Sequence, residues 1–97
     1  MKRLHIVIYG RVQGVAFRAA TRKTAIVLNL TGWVKNLPNG RVEAVFEGDD
    51  GQVEVMHDWC KHGPPLALVT GVDLRDEDYT GEFMDFTIQY GNRLSNK

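Results

Sequence analysis

Between residues 10 and 18 the chain reads Gly-Arg-Val-Gln-Gly-Val-Ala-Phe-Arg, with glycines at 10 and 14 and an arginine at 18 where a helical pattern begins. Each of these residue types contributes to holding an oxyanion. Gly10 and Gly14 give the backbone freedom to turn several amides toward one point, and a helix start adds unpaired N–H groups and a partial positive charge. Arg18 brings a planar fork that matches phosphate oxygens, and the segment has no carboxylate to quench it. The chemistry is that of a phosphate or carboxylate site; the alternative is a plain strand-to-helix turn with a solvated arginine. No Gly-Lys-Ser/Thr follows, and the glycine spacing is not that of a dinucleotide fold, so both nucleotide-loop classes are set aside.

Charge distribution points the same way. Residues 1–42 hold eight bases (Lys2, Arg3, Arg11, Arg18, Arg22, Lys23, Lys35 and Arg41) and no acid, whereas all twelve acids lie between Glu43 and Asp85. Either the first half binds an anion, or the two halves pair in the fold. The formal net charge of zero argues against a general nucleic-acid binder. With 97 residues, 43% of them hydrophobic, we expect one globular domain over 1–97, with 91–97 as a frayed tail. We see no membrane span or secretory signal, and the lone Cys60 has no partner, so a reducing cytoplasm is the expected compartment.

The elements that must position the loop follow from periodicity. Leu4, Ile6 and Ile8 share one face of a buried strand ending at Gly10. Phe17, Ala20, Thr24 and Leu28 recur at helical spacing, with Arg22 and Lys23 on the wet side and a stop near Asn29. Residues 31–36 and 41–48 form a hairpin around Leu37-Pro38-Asn39-Gly40. In its second strand Val42, Ala44 and Phe46 face the core, and Glu43, Val45 and Glu47 face partly to solvent. Asp49 or Asp50 caps a second helix with Val53, Met56 and Cys60 on one face, stopped by His62-Gly63-Pro64-Pro65. Residues 66–74 form a strand, 75–82 a polar loop, and Met84, Phe86, Ile88 and Tyr90 alternate in a last strand.

The order βαββαβ of the first six elements predicts an α+β, ferredoxin-like sandwich with two helices on one face of an antiparallel sheet. In the usual 4-1-3-2 strand order the first two strands run the same way with the third between them. Their ends then lie roughly 10 Å apart, which places Asn36 across from the glycine loop.

The sequence also resembles a known family. "IYGRVQGVAFR" (8–18) and "GWVKNLPNGRVEAVFEG" (32–48) are similar to the two motifs of the acylphosphatases, in register and at the family's separation, and the likeness extends through "GPPLALVTGVDL" to "FTIQY". The resemblance implies a small cytoplasmic enzyme that hydrolyses the carboxyl-phosphate bond of acyl phosphates without metal or cofactor. It implies that Arg18 and backbone amides of the loop, Arg11, Val12, Gln13, Gly14, Val15, Ala16 and Phe17, hold the phosphoryl group, and that Asn36 orients the attacking water. A small acyl phosphate is then the substrate, inorganic phosphate a ligand, and a monomer the simplest state, with no nucleic-acid or membrane partner. Ala16 stands where glycine is usual, which raises the question of crowding. Gln89 replaces a frequent arginine, and seven residues follow Tyr90, where many members end with a carboxylate that helps orient the arginine. The alternative function is an anion-binding regulatory module of the same fold with little turnover.

Other residues attract simpler readings. His5, His57 and His62 do not share a face suited to a metal. Cys60 is a packing residue, as are Trp33 and Trp59. An RNA-binding sheet of the same element order is disfavoured, because Glu43 and Glu47 would repel phosphates.

Overall fold

The computed structural model describes residues 1–90, so the expected frayed tail lies outside the described residues. The elements are β1 (Lys2–Arg11), α1 (Phe17–Val27), β2 (Thr31–Asn36), β3 (Val42–Gly48), α2 (Asp50–Cys60), β4 (Leu68–Glu77) and β5 (Phe86–Gln89). They build one sheet in the order β4-β1-β3-β2-β5. The first four strands pair antiparallel, and β5 joins β2 in parallel. The expected antiparallel sheet is therefore completed as a mixed one.

Both helices cover the same face. Leu4, Ile6 and Ile8 of β1, Val34 of β2, and Val42, Ala44 and Phe46 of β3 meet Phe17 and Ala25 of α1 and Val53, Met56 and Cys60 of α2 in one buried cluster. Alternation in the strands and three-to-four spacing in the helices are what allow these residues to share one layer. The buried stripe of α1 is Phe17, Thr21 and Ala25, about one position round from the expected one. Small side chains let the helix lie close to the sheet, and the Thr21 hydroxyl is satisfied within the helix by donating to the Phe17 carbonyl at 2.8 Å. The helix ends with Asn29 in the left-handed region (φ 59°), and Asn29 and Leu30 N–H groups donate to the Ile26 and Ala25 carbonyls. Asp49 caps α2 by accepting from the Gly51 N–H at 3.1 Å.

The opposite face departs from expectation. Val45 and Glu47 are buried rather than partly solvated. β4 also runs on through Glu77, three residues into the predicted loop, with Arg75 and Glu77 paired to His5 and Arg3. The Glu47 carboxylate accepts from Arg3 Nη1, the Thr80 N–H and hydroxyl, and the Gly81 N–H, all at 3.0–3.1 Å. Burial opposes its charge, but these donors outweigh burial and hold its pKa below the ordinary carboxylate value. Glu77 is likewise lowered, by hydrogen bonds from Arg3 and then His5. The network pins residues 80–82 over the sheet and uses Arg3 up in doing so.

Candidate active site

The loop between β1 and α1 is shaped by a bulge. The β1–β4 register shifts between Tyr9 and Gly10. A Cβ on Gly10, whose φ is 119°, would sit 2.1 Å from the Leu68 carbonyl oxygen, so only glycine lets β1 turn there. Beyond it Val12 is buried, Val15 packs against the core, and Gly14 and Ala16 are exposed. Ala16 occupies the N-cap position of α1 with φ 64° and ψ 26°, and no side chain caps the helix. The question raised by Ala16 is thus one of backbone strain, since an exposed alanine is held in the left-handed region. Among the described residues, the amides of Gly14 to Ala19 donate to no carbonyl or side chain. They are free to converge on a ligand.

Those residues open onto a cleft of about 190 Å³ lined by Val12, Gly14, Ala16, Phe17, Arg18, Ala19, Asn36, Ile88 and Tyr90. Sheet order explains why Asn36 belongs to it: β1 and β2 both pair antiparallel to β3, so they finish at the same end of the sheet. Asn36 brings an amide oxygen that is buried and, among the described residues, accepts no hydrogen bond. Such atoms are rare, and the fold leaves this one unused. The Arg18 guanidinium lies 5.3 Å from the centre of the Tyr90 ring, a cation–π contact that holds the arginine without neutralising it.

Charge separates around this cleft. Lys2, Arg3 and Lys35 form ion pairs with acids from the second half of the chain. Among the described residues Arg11, Arg18, Arg22, Lys23 and Arg41 form none. Pairing between the two parts of the chain therefore accounts for Lys2, Arg3 and Lys35, and among the described residues the other five bases have no acidic partner. A larger hollow of about 270 Å³ lies on the opposite face beside His5, Asp73 and Arg75; the Asp73 carboxylate makes it a poor anion site.

The structure brings Arg18, Asn36, Val12, Gly14, Ala16 and Phe17 together and leaves Arg11, Gln13 and Val15 off the cleft lining. Arg11 closes β1 opposite Leu68, and the Gln13 side chain turns toward the hairpin. Ala19, Ile88 and Tyr90 were not among the expected site residues. The parallel pairing of Val34 with Ile88 and Lys35 with Gln89 carries β5 alongside β2 to the cleft, and sequence spacing alone does not give that register. Cys60 is buried on the core side, where burial pushes its thiol well above the ordinary value. No catalytic thiolate arises from it.

The geometry can be set against known proteins. The profile of the acylphosphatase family matches residues 4–88. An acylphosphatase of Syntrophus aciditrophicus is 56% identical over 95 residues, covering 98% of this chain and 99% of its own length. The crystal structure of acylphosphatase from Bacillus subtilis superimposes with a TM-score of 0.89 at 34% identity, covering 93% of this chain and 100% of that one. The structure of an acylphosphatase from Coxiella burnetii gives 0.80 at 41% identity, over 91% and 92%. On these matches, the chain belongs to the acylphosphatase family.

Proposed function

We propose that this acylphosphatase holds the phosphoryl group of its substrate with Arg18 and the free amides from Gly14 onward in the 11–18 loop, and that Asn36 orients the attacking water. The observation that carries the reading is the coincidence, in one cleft and among the described residues, of an arginine without a carboxylate partner and a buried amide oxygen without a donor. Water attacks phosphorus as the bond to the acyl oxygen breaks, and the carboxylate leaves with its electron pair. A carboxylate is a good leaving group, so the site has mainly to align the water and spread charge over the phosphoryl oxygens. An uncharged amide suits the water's holder, because it donates and accepts without repelling a dianion. Among the described residues no acid, histidine or thiol lines the cleft, so the proton lost by water passes to a phosphoryl oxygen of the substrate. Arg18 and the amides supply the positive field, and the reaction in this form needs no metal or cofactor.

The chain is further read as a monomeric, single-domain protein of the cytoplasm whose ligands are small acyl phosphates and inorganic phosphate. Among the described residues no helix is long and apolar enough to cross a membrane. The test is hydrolysis of benzoyl phosphate in the presence of a chelator by the natural chain, Arg18→Ala and Asn36→Ala. Turnover in the natural chain and its loss in both variants is expected. Natural turnover that survives in either variant overturns that residue's role. Absent natural turnover with phosphate binding intact would favour a regulatory anion-binding module instead. A pH profile in which one protein group titrating near neutrality governs the rate would overturn the substrate-assisted proton transfer.

A further inference from the structure

The phosphate loop and the hairpin that carries Asn36 are not neighbours in the sheet, because β3 lies between β1 and β2. The Gln13 side chain joins them. Gln13 Nε2 donates to the Leu37 carbonyl at 2.8 Å and to the Arg41 carbonyl at 2.9 Å. These are the two carbonyls that close the hairpin: Arg41 accepts from the Leu37 N–H at 2.8 Å, and Leu37 accepts from the Gly40 N–H at 3.2 Å. The amide thus bridges the mouth of the turn one residue beyond Asn36, with both of its hydrogens engaged. Leu, Met or Glu at this position offers no such donor.

We propose that Gln13 is a positioning residue, which fixes the Asn36 amide relative to the phosphoryl group held by Arg18 and the loop. This rests on the reading of Asn36 as the holder of water. Gln13 does not line the cleft, so its effect passes through the hairpin. Two consequences follow from that geometry. Loss of the bridge leaves Arg18 and the loop amides in place, so phosphate binding is retained. It lets Asn36 drift, and a misplacement of about 1 Å between reacting groups can cost on the order of a hundredfold in rate.

The experiment compares Gln13→Met, which keeps length and removes both donors, with the natural chain and with Asn36→Ala. It reads kcat and KM for benzoyl phosphate, the inhibition constant of inorganic phosphate, and thermal unfolding. The lost bonds are partly exposed, so the Met variant stays folded. Its kcat is expected to fall by about tenfold or more while the phosphate inhibition constant stays within about twofold, a split that general loosening of the loop would not give. A kcat within about twofold of the natural value, or a kcat and an inhibition constant that worsen together, overturns the proposal. If Asn36→Ala itself retains turnover, the water reading fails; if only Gln13→Met retains it, the bridge alone fails.

Discussion

Asn36 is the residue at which stability and function should move in opposite directions. Its buried amide oxygen accepts nothing among the described residues, and a buried polar group without a partner costs about 1–3 kcal/mol. Asn36→Ala removes that cost and loses only the packing of a short side chain, about 1 kcal/mol. The balance is a gain of about 1 kcal/mol, worth roughly 4–8 °C in melting temperature for a domain of this size. Turnover of benzoyl phosphate should meanwhile fall by about a hundredfold, because the water loses its orientation. Denaturant unfolding followed by tryptophan fluorescence gives the stability change, and initial rates give kcat. A variant that unfolds about 1 kcal/mol more easily would refute the reasoning, since the amide would then be serving the fold through a partner such as an ordered water. A stabilised variant that keeps its turnover would leave the accounting intact and remove Asn36 from the reaction.

Arg18→Ala should weaken inhibition by inorganic phosphate by about tenfold or more while leaving stability nearly unchanged, because no ion pair among the described residues is lost; Arg18→Lys should fall between, keeping charge without the fork. Ala16→Gly should relieve a left-handed backbone worth about 1 kcal/mol against roughly 0.5 kcal/mol of added freedom in the unfolded chain. A small rise in melting temperature with turnover unchanged within about twofold is expected from thermal scans and rates, and a clear fall would show that residue 16 needs its methyl. Glu47→Gln should cost about 3 kcal/mol, since it strips the charge from a buried carboxylate that faces Arg3. Glu47 has a lowered folded pKa, so its contribution is complete above the ordinary carboxylate value of 4.5 and is lost as pH falls through the folded one. Unfolding measured from pH 7 down to pH 3 should therefore show the gap between the natural chain and the Glu47→Gln variant closing only below about pH 4.5; a gap independent of pH would refute this.

Much of the fold is written in local patterns. The alternation of Leu4, Ile6 and Ile8, the turn at 37–40 and the cap at Asp49 or Asp50 each pointed to the element that forms. The misses share a cause. Arg75, Asp76 and Glu77 have the composition of a solvated loop, yet they continue β4 because Arg3 and His5 on the adjacent strand hydrogen-bond to Glu77. Val45 and Glu47 alternate outward correctly but are buried, Glu47 meeting Thr80 and Gly81 instead of water. In α1, Thr21 and Ala25 carry too little hydrophobicity to mark the buried stripe, although both are buried against the sheet. In each case tertiary partners outweigh a local preference that is weak to begin with.

The site divides along the same line. Arg18, Gly14 and Asn36 could be placed from residue type and strand order, because backbone topology alone decides which loop ends share a sheet edge. The bridging of Gln13 and the contact of Tyr90 with Arg18 depend on where a side chain points, which neither periodicity nor composition encodes. The segregation of charge joins the two levels. A chain whose first 42 residues hold only bases needs acids somewhere to offset their mutual repulsion. The fold answers by bringing Glu47, Glu77 and Glu82 onto Arg3 on the outer face of the sheet. That placement satisfies the bases that serve the structure and keeps these carboxylates out of the cleft. Arg18 is thereby left beside an aromatic ring with its charge unspent on any described acid, which is the condition for clamping a dianion rather than an internal carboxylate.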